Sequence, residues 1–377
     1  MGKHLVLAGG GHAHMTVMLR LADYISRGHR VTLVSPGDYH YYSGMGPGML
    51  GGIYRPQQVR INVRKMVEKR GGAFVEDRVA RVLAAERRLL LASGAELDYD
   101  VASFNTGSGV SLEKVGASGE DIVPVKPIHN LAKARRWILE RVRDQAVNLV
   151  VVGGGPAGVE MTGNLWRLVR EAGGEARITL LAGSRLLHPF PEKARRVALA
   201  SLQRRGIRVI EGPRVVQVSR GRADLDDGSC VAYDRAFIAS GVEPSPLFGD
   251  SGLPVGKDGG LLVNNHLQSV EWPELFGGGD CISMRDWPLE KVGVYAVRQN
   301  PVLYRNLLAA LESRELTSFE PQKNYLLIFN LGDRRGIFIK NGWVWNGRLA
   351  FSLKDWIDRR FMSKFQVAGE LGEADPC

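Results

Sequence analysis

With 377 residues, 44% of them hydrophobic and 24% charged, the chain has the composition of an ordinary globular protein with room for two or three domains, which excludes a disordered or fibrous class. Three cysteines, Cys230, Cys281 and Cys377, are too few and too scattered for a disulfide framework or a zinc site, and no metal is expected. The net charge of +10 and pI near 9.6 admit anionic partners, yet no nucleic-acid motif accompanies the dispersed Arg and Lys, and no apolar run approaches the ~18 residues of a membrane span.

The chain enters a strand at once. Leu5 to Ala8 are an apolar run that reads as a buried parallel strand, Gly9 and Gly11 allow a tight turn, and Met15 to Leu21 continue with helical periodicity. Such a turn aims bare backbone N–H groups and the positive end of a helix dipole at one point, which favours a diphosphate. His14 stands where the third glycine of G-x-G-x-x-G belongs, so this stretch alone also fits an ordinary strand-to-helix connection. Arg30 to Val34 read as the second strand, with Ser35 at the tip where an acid ordinarily holds a ribose and Asp38 nearby. Tyr39 to Gly48 combine aromatics with turn formers and read as a loop, either functional or a glycine-rich connection.

Residues 72–101 hold short strands and lead to Thr106-Gly107, where the backbone can closely approach a cofactor. After a basic helix over Leu131 to Val142 comes a complete glycine pattern, Gly153, Gly155 and Gly158 with Pro156 and Ala157 between, set between the strand Leu149–Val152 and a helical run through Val169. The next strand, Ile178–Leu181, lacks an acid at its tip and leads to Arg185, which faces either a 2′-phosphate or solvent. Tyr233 to Gly241 repeat the strand-to-glycine design, and Leu275 to Ile282 close on Gly279-Asp280, a carboxylate placed to accept from a cofactor hydroxyl. Near the C-terminus, Asn341-Gly342 is a hairpin signal. Leu353, Trp356, Ile357, Phe361 and Phe365 then share one helical face with Lys354, Arg359 and Lys364 off it, which fits either a membrane interface or packing on the same protein.

The order of motifs predicts an α/β protein with two Rossmann-like dinucleotide-binding domains, the second inserted in the first. Residues 1–130 and 254–318 form one domain, 131–253 the other, and 319–377 a small C-terminal α+β segment. In Gly9-Gly-Gly-His-Ala-His14, Tyr42-Ser-Gly-Met45, Val125-Lys-Pro-Ile128, Val292 to Gln299, Leu353-Lys-Asp355, Ile357-Asp-Arg359 and Phe361-Met362, the chain resembles the two-dinucleotide-domain flavoproteins of the pyridine nucleotide–disulfide oxidoreductase type. Within them it is similar to type II NADH:quinone and sulfide:quinone oxidoreductases, and especially to the flavoprotein module fused in front of selenide, water dikinase.

That resemblance implies FAD on the first loop and NAD(P)H as substrate on the second. Gly9, Gly11, His12 and Ala13 would face the FAD diphosphate, with Ser35, Thr106, Gly107, Gly279 and Asp280 along the cofactor and the helix start at Val292 and Gly293 aimed at the flavin. Gly153, Gly155, Pro156, Ala157 and Gly158 would hold NAD(P)H, and Glu160 would sit near the nicotinamide. Lys126 and Gln299 are candidates for the flavin or acceptor side, with surface roles equally open. The implied activity is NAD(P)H:acceptor oxidoreduction with a quinone-like acceptor; a sulfide- or selenium-handling flavoprotein and a redox-sensing flavoprotein are the rivals. A cytoplasmic location at the inner membrane face, peripheral contact through 353–365 and a homodimer are further expectations. The redox-active cysteine pair of the disulfide reductases is missing from Asp38 to Tyr54, and Cys281 is expected to carry a depressed thiol pKa at a helix start.

Overall fold

The computed structural model describes residues 2–374, so Cys377 lies outside the described residues. The run Leu5–Ala8 forms the middle strand, His4–Ala8, of a five-stranded parallel sheet flanked by Arg30–Ser35 and Ala73–Glu76 on one side and Val101–Phe104 and Leu275–Gly277 on the other. All five residues of His4–Ala8 are buried, as expected of a parallel strand covered on both faces. A second parallel sheet has the order Ile122–Pro124, Arg235–Ile238, Val147–Val152, Ala176–Leu181 and Arg208–Ile210. In each sheet the central strand runs straight into one of the two glycine loops. The phosphate-binding signals therefore stand at the carboxyl ends of parallel strands, where open α/β sheets bind ligands.

The second sheet recruits chain from ahead of residue 131. Ile122–Pro124 pairs with Arg235–Ile238, and Ala117–Ser118 with the antiparallel meander that lies in the chain between Arg208–Ile210 and Arg235–Ile238. The reading of a crossing at 130 misses this because strands of two or three residues leave too little periodicity to assign.

Tyr39 to Gly48 are not a loop. Tyr39–Tyr41 pairs antiparallel with Arg60–Asn62, and Gly46–Leu50 is a fully buried helical turn. The glycines here serve close packing: a Cβ on Gly48 would lie 2.6 Å from the Tyr54 ring, and one on Gly46 3.0 Å from Ile128. The first helix also stops early, at Leu19, with a separate turn over Ala22–Ile25.

At the C-terminal end, Leu327–Asn330, Gly336–Lys340 and Trp343–Gly347 form an antiparallel sheet, and the helix Arg348–Phe365 packs against it. Asn341 and Gly342 both have positive φ, 51° and 79°, the conformation that a two-residue hairpin of primed type demands.

Candidate functional site

The first glycine loop is closed by a residue that the sequence reading passes over, Asn105, which directly follows the strand Val101–Phe104. Its Oδ1 accepts from the Ala13 N–H at 2.9 Å and its Nδ2 donates to the Gly278 carbonyl at 2.5 Å. One buried amide thus ties the N-terminal loop to the late Gly278–Gly279 segment. The loop glycines are required by this closeness: a Cβ on Gly9, which has φ +91°, would lie 2.4 Å from the Asn105 carbonyl oxygen, and one on Gly11 2.2 Å from Asn105 Oδ1. Among the described residues, no protein group accepts from the N–H groups of Gly10 and Gly11. Uncommitted donors at a strand-to-helix turn fit a diphosphate.

His14 is explained by the same loop. Nδ1 lies 2.6 Å from the Gly9 carbonyl and Nε2 2.8 Å from Ser103 Oγ. A carbonyl only accepts, so Nδ1 carries the proton and Nε2 accepts from the serine hydroxyl. The histidine pins the loop to the neighbouring strand where a third glycine would only have made room. Burial pushes its pKa down to about 4 against the Gly9 hydrogen bond, and His12 is pushed to about 4 by burial against the attraction of Asp280. An imidazole whose folded pKa lies below its ordinary 6.5 stabilises the fold fully above that value and loses the contribution as pH falls toward 4. Each of these two rings is therefore worth on the order of 3 kcal/mol across that window. Thermal unfolding of the cofactor-free protein is expected at clearly lower temperature at pH ~5 than at pH ~7.5, with a shallower fall in His14→Asn. A melting temperature that does not change over this range contradicts the assignment.

Asp280 Oδ2 accepts from Lys126 Nζ and from Ser108 Oγ, both at 2.7 Å. Burial pushes its carboxyl up, but the Lys126 ammonium and the two hydrogen bonds outweigh it and hold the group below the usual carboxylate range. Gln299 is buried and its Oε1 accepts from the Gly279 N–H at 2.7 Å, so it positions that segment. Asp280, Gln299, Gly279 and Val292 border one cleft of about 580 Å³; Lys126 and Glu160 do not line it. Thr106 is exposed, and Gly107 has φ +75° with open space beside it. Ser35 Oγ donates back to Gly37 O at 3.2 Å, and Asp38 pairs with Arg64 at 2.7 Å. The carboxylate level with Ser35 is Glu76 on the adjoining strand, which local spacing could not reveal.

At the second loop Gly153 has φ +129°, and a Cβ on Gly158 would lie 1.8 Å from the Gly153 carbonyl oxygen. Gly155 faces open space, Pro156 begins the helix Pro156–Glu171, and Ala157 beside it is exposed. Among the described residues no protein group accepts from the N–H groups of Gly154 and Gly155. Arg185 pairs with Glu192.

Glu160, one turn into that helix, leads to a second group of residues. Its Oε1 accepts from the Asn330 N–H at 2.7 Å. Burial pushes its pKa up to about 7, against the pull of the Lys354 ammonium and the Asn330 hydrogen bond. Lys354 donates to Asp358 Oδ2 at 2.6 Å and to the Gly44 carbonyl at 2.7 Å, and the Tyr42 hydroxyl donates to Asp358 Oδ1 at 2.9 Å. The expected helical wheel holds at Phe361 and Phe365, which pack inward, and at the exposed Arg359 and Lys364, but not in the turn before them. Lys354 and Asp358 point inward with side chains 11% and 6% exposed, while Trp356 on the expected buried stripe is 57% exposed. The Tyr42 ring stacks on Phe361 at 4.9 Å, and His12 lies 5.2 Å from Tyr42 and 4.7 Å from His40. The first loop, the Tyr42 segment and the C-terminal helix thus meet at one aromatic cluster.

Residues 3–301 match the family described as pyridine nucleotide-disulphide oxidoreductase. The chain belongs to this family. Among curated relatives, ferroptosis suppressor protein 1 of Taeniopygia guttata is 25% identical over 329 residues, covering 80% of each chain. The internal alternative NAD(P)H-ubiquinone oxidoreductase A1, mitochondrial, of Arabidopsis thaliana is 24% identical over 206 residues, 49% of this chain and 40% of its own, so the match spans less than half the length of that relative. Two solved structures share the fold: NDH2 from Plasmodium falciparum in complex with RYL-552, with TM-score 0.80, 15% identity and coverage of 100% and 99%, and the sulfide:quinone oxidoreductase from Aquifex aeolicus, with TM-score 0.79, 15% identity and coverage of 97% and 92%.

Within this family the cysteine expectation is corrected. Cys281 is fully buried, and burial pushes its thiol up rather than down, against hydrogen bonds at Thr106 and Gly107. The helical turn at Gly279–Cys281 is a single 3₁₀ turn, too short to offset the loss of water around a thiolate.

Proposed function

We propose that this protein is an FAD-dependent NAD(P)H:acceptor oxidoreductase that passes two electrons to a quinone. The observation that carries the reading is the pair of glycine loops with uncommitted N–H donors, one at the end of each parallel sheet, in a chain whose relatives are named for NAD(P)H-ubiquinone oxidoreduction and NADH dehydrogenation. Gly9 to Ala13 hold the FAD diphosphate, with Ser35, Thr106, Gly107, Gly279, Asp280 and the helix start at Val292 along the rest of the cofactor. Gly153 to Gly158 hold NAD(P)H. When bound, FAD supplies the relay, accepting a hydride equivalent from NAD(P)H and passing two electrons onward.

The protein's own groups orient and tune. Glu160 faces the nicotinamide and is anionic above about pH 7, where it stabilises the positive charge that develops as the nicotinamide is oxidised. Lys126 holds the Asp280 carboxylate in its charged form. The acceptor approaches from the side of Tyr41 to Pro47 and the C-terminal helix. The Arg185 charge is already answered by Glu192, which favours NADH over NADPH. Cys281, buried with a raised thiol pKa, speaks against a sulfur relay, and the intact second loop speaks against a degenerate sensor. NADH oxidation is expected to depend on added water-soluble quinone and to be unaffected by sulfide; consumption of sulfide without pyridine nucleotide refutes the reading.

The acceptor is reached at a membrane surface. No helix of the described residues is long and apolar enough to cross a membrane, but Trp343 and Leu349 are each 77% exposed and Trp356 57%, beside exposed Arg348 and Arg360. Aromatic and aliphatic side chains with flanking arginines suit an anionic lipid interface. Leu349→Ser and Trp356→Ser are each expected to weaken co-sedimentation with anionic liposomes about tenfold. These substitutions leave Lys354 and Asp358 in place, and equal binding of variants and parent refutes the contact.

A further inference from the structure

We propose that Tyr42 and Asp358 form the proton-delivery pair of the acceptor side, an assignment that rests on the reading of a quinone as acceptor. The buried cluster holds two carboxylates, Glu160 and Asp358, but one ammonium, Lys354. A buried group of three charges with one excess negative is relieved by binding a proton. Burial acts in the same direction on both acids: it raises the Asp358 carboxyl against the Lys354 ammonium and raises Glu160 to about 7. The cluster therefore holds one exchangeable proton in the neutral range. Its inner end is the Tyr42 hydroxyl, whose ring stacks on Phe361 and adjoins His12. Its outer end is Asp355, three residues before Asp358 on the same helix and paired at 2.9 Å with the half-exposed Arg359, which lies over the Tyr54 ring.

The chemistry balances around this proton. Reducing a quinone to a hydroquinone takes two electrons and two protons. A hydride equivalent from NAD(P)H brings both electrons and one proton, and one proton must still come from water. With Asp358 ionised, the Tyr42 hydroxyl donates to it, as observed at 2.9 Å. Once Asp358 is protonated, its O–H donates to the Tyr42 oxygen and frees the phenol hydrogen for the acceptor. Transfer then breaks the Tyr42 O–H bond and forms an O–H bond on the acceptor oxygen, while the Asp358 proton passes to Tyr42. Asp358 is reprotonated from solvent past Asp355. Lys354, anchored to Gly44 O at 2.7 Å, keeps Asp358 in place and is a positioning residue.

The test uses the flavin-loaded protein reduced with dithionite, so that it does not depend on NAD(P)H, and follows flavin reoxidation by a water-soluble quinone and by ferricyanide, which takes electrons without protons. Tyr42→Phe retains the stacked ring. It is expected to slow reoxidation by quinone at least ~10-fold and to remove its pH dependence, with reoxidation by ferricyanide unchanged. Asp358→Asn is expected to do the same. Equal slowing with both acceptors, or slowing with neither, overturns the proposal. A parent that quinone does not reoxidise at all refutes instead the reading of the acceptor on which it rests.

Discussion

Asn105→Ala is expected to release the flavin and to destabilise the protein by roughly 2–6 kcal/mol. The alanine leaves two buried backbone groups, the Ala13 N–H and the Gly278 carbonyl, without the partners they have at 2.9 and 2.5 Å, and an unsatisfied buried group costs about 1–3 kcal/mol. No water fills the place readily, because the Gly11 and Gly279 backbones close on the same amide. Against a total stability of about 5–15 kcal/mol this is a large loss. It is read by calorimetry and by the ratio of flavin to protein absorbance after purification. Parent-like melting and flavin content would show that Asn105 does not hold the two segments together.

Glu160→Gln is expected to leave the fold intact and to slow reduction by NADH by about 10–100-fold at pH ~8. Glutamine keeps an oxygen for the Asn330 N–H, so the local backbone retains its partner, but it carries no charge to oppose Lys354 or to stabilise an oxidising nicotinamide. The sign of the pH effect follows. With its pKa raised to about 7, Glu160 is neutral below that value and anionic above it, so the reductive rate of the parent rises with pH through 7, whereas the variant shows no such step. Stopped-flow reduction over the neutral range measures both quantities. A variant that keeps the step near 7 assigns it to another group.

The two glycine loops and their sheets are legible in sequence because everything that defines them is local. Four apolar residues, glycines at fixed offsets and a helical run need no partner elsewhere in the chain. The residues that the sequence leaves hidden are those whose meaning comes from distant segments. Asn105 looks like a strand-end polar residue until Ala13 and Gly278 stand on either side of it. Lys354 and Asp358 look like the solvent side of an amphipathic helix because helical periodicity sorts residues by polarity alone. They turn inward because Glu160, Tyr42 and the Gly44 carbonyl form a polar pocket for them, while Leu349 and Trp356 are left facing out. His14 is a related case. As a missing glycine it weakens a pattern, and as a neutral ring between Gly9 and Ser103 it completes one.

In the proposed function the two loops bring a pyridine nucleotide and a flavin into one electron path. Anaerobic mixing of the flavin-loaded protein with NADH, followed by the visible absorbance of the flavin, tests it most directly. Rapid bleaching is expected, faster with NADH than with NADPH, with return of the oxidised spectrum when a quinone is added. A flavin that stays oxidised in the presence of either nucleotide would contradict it.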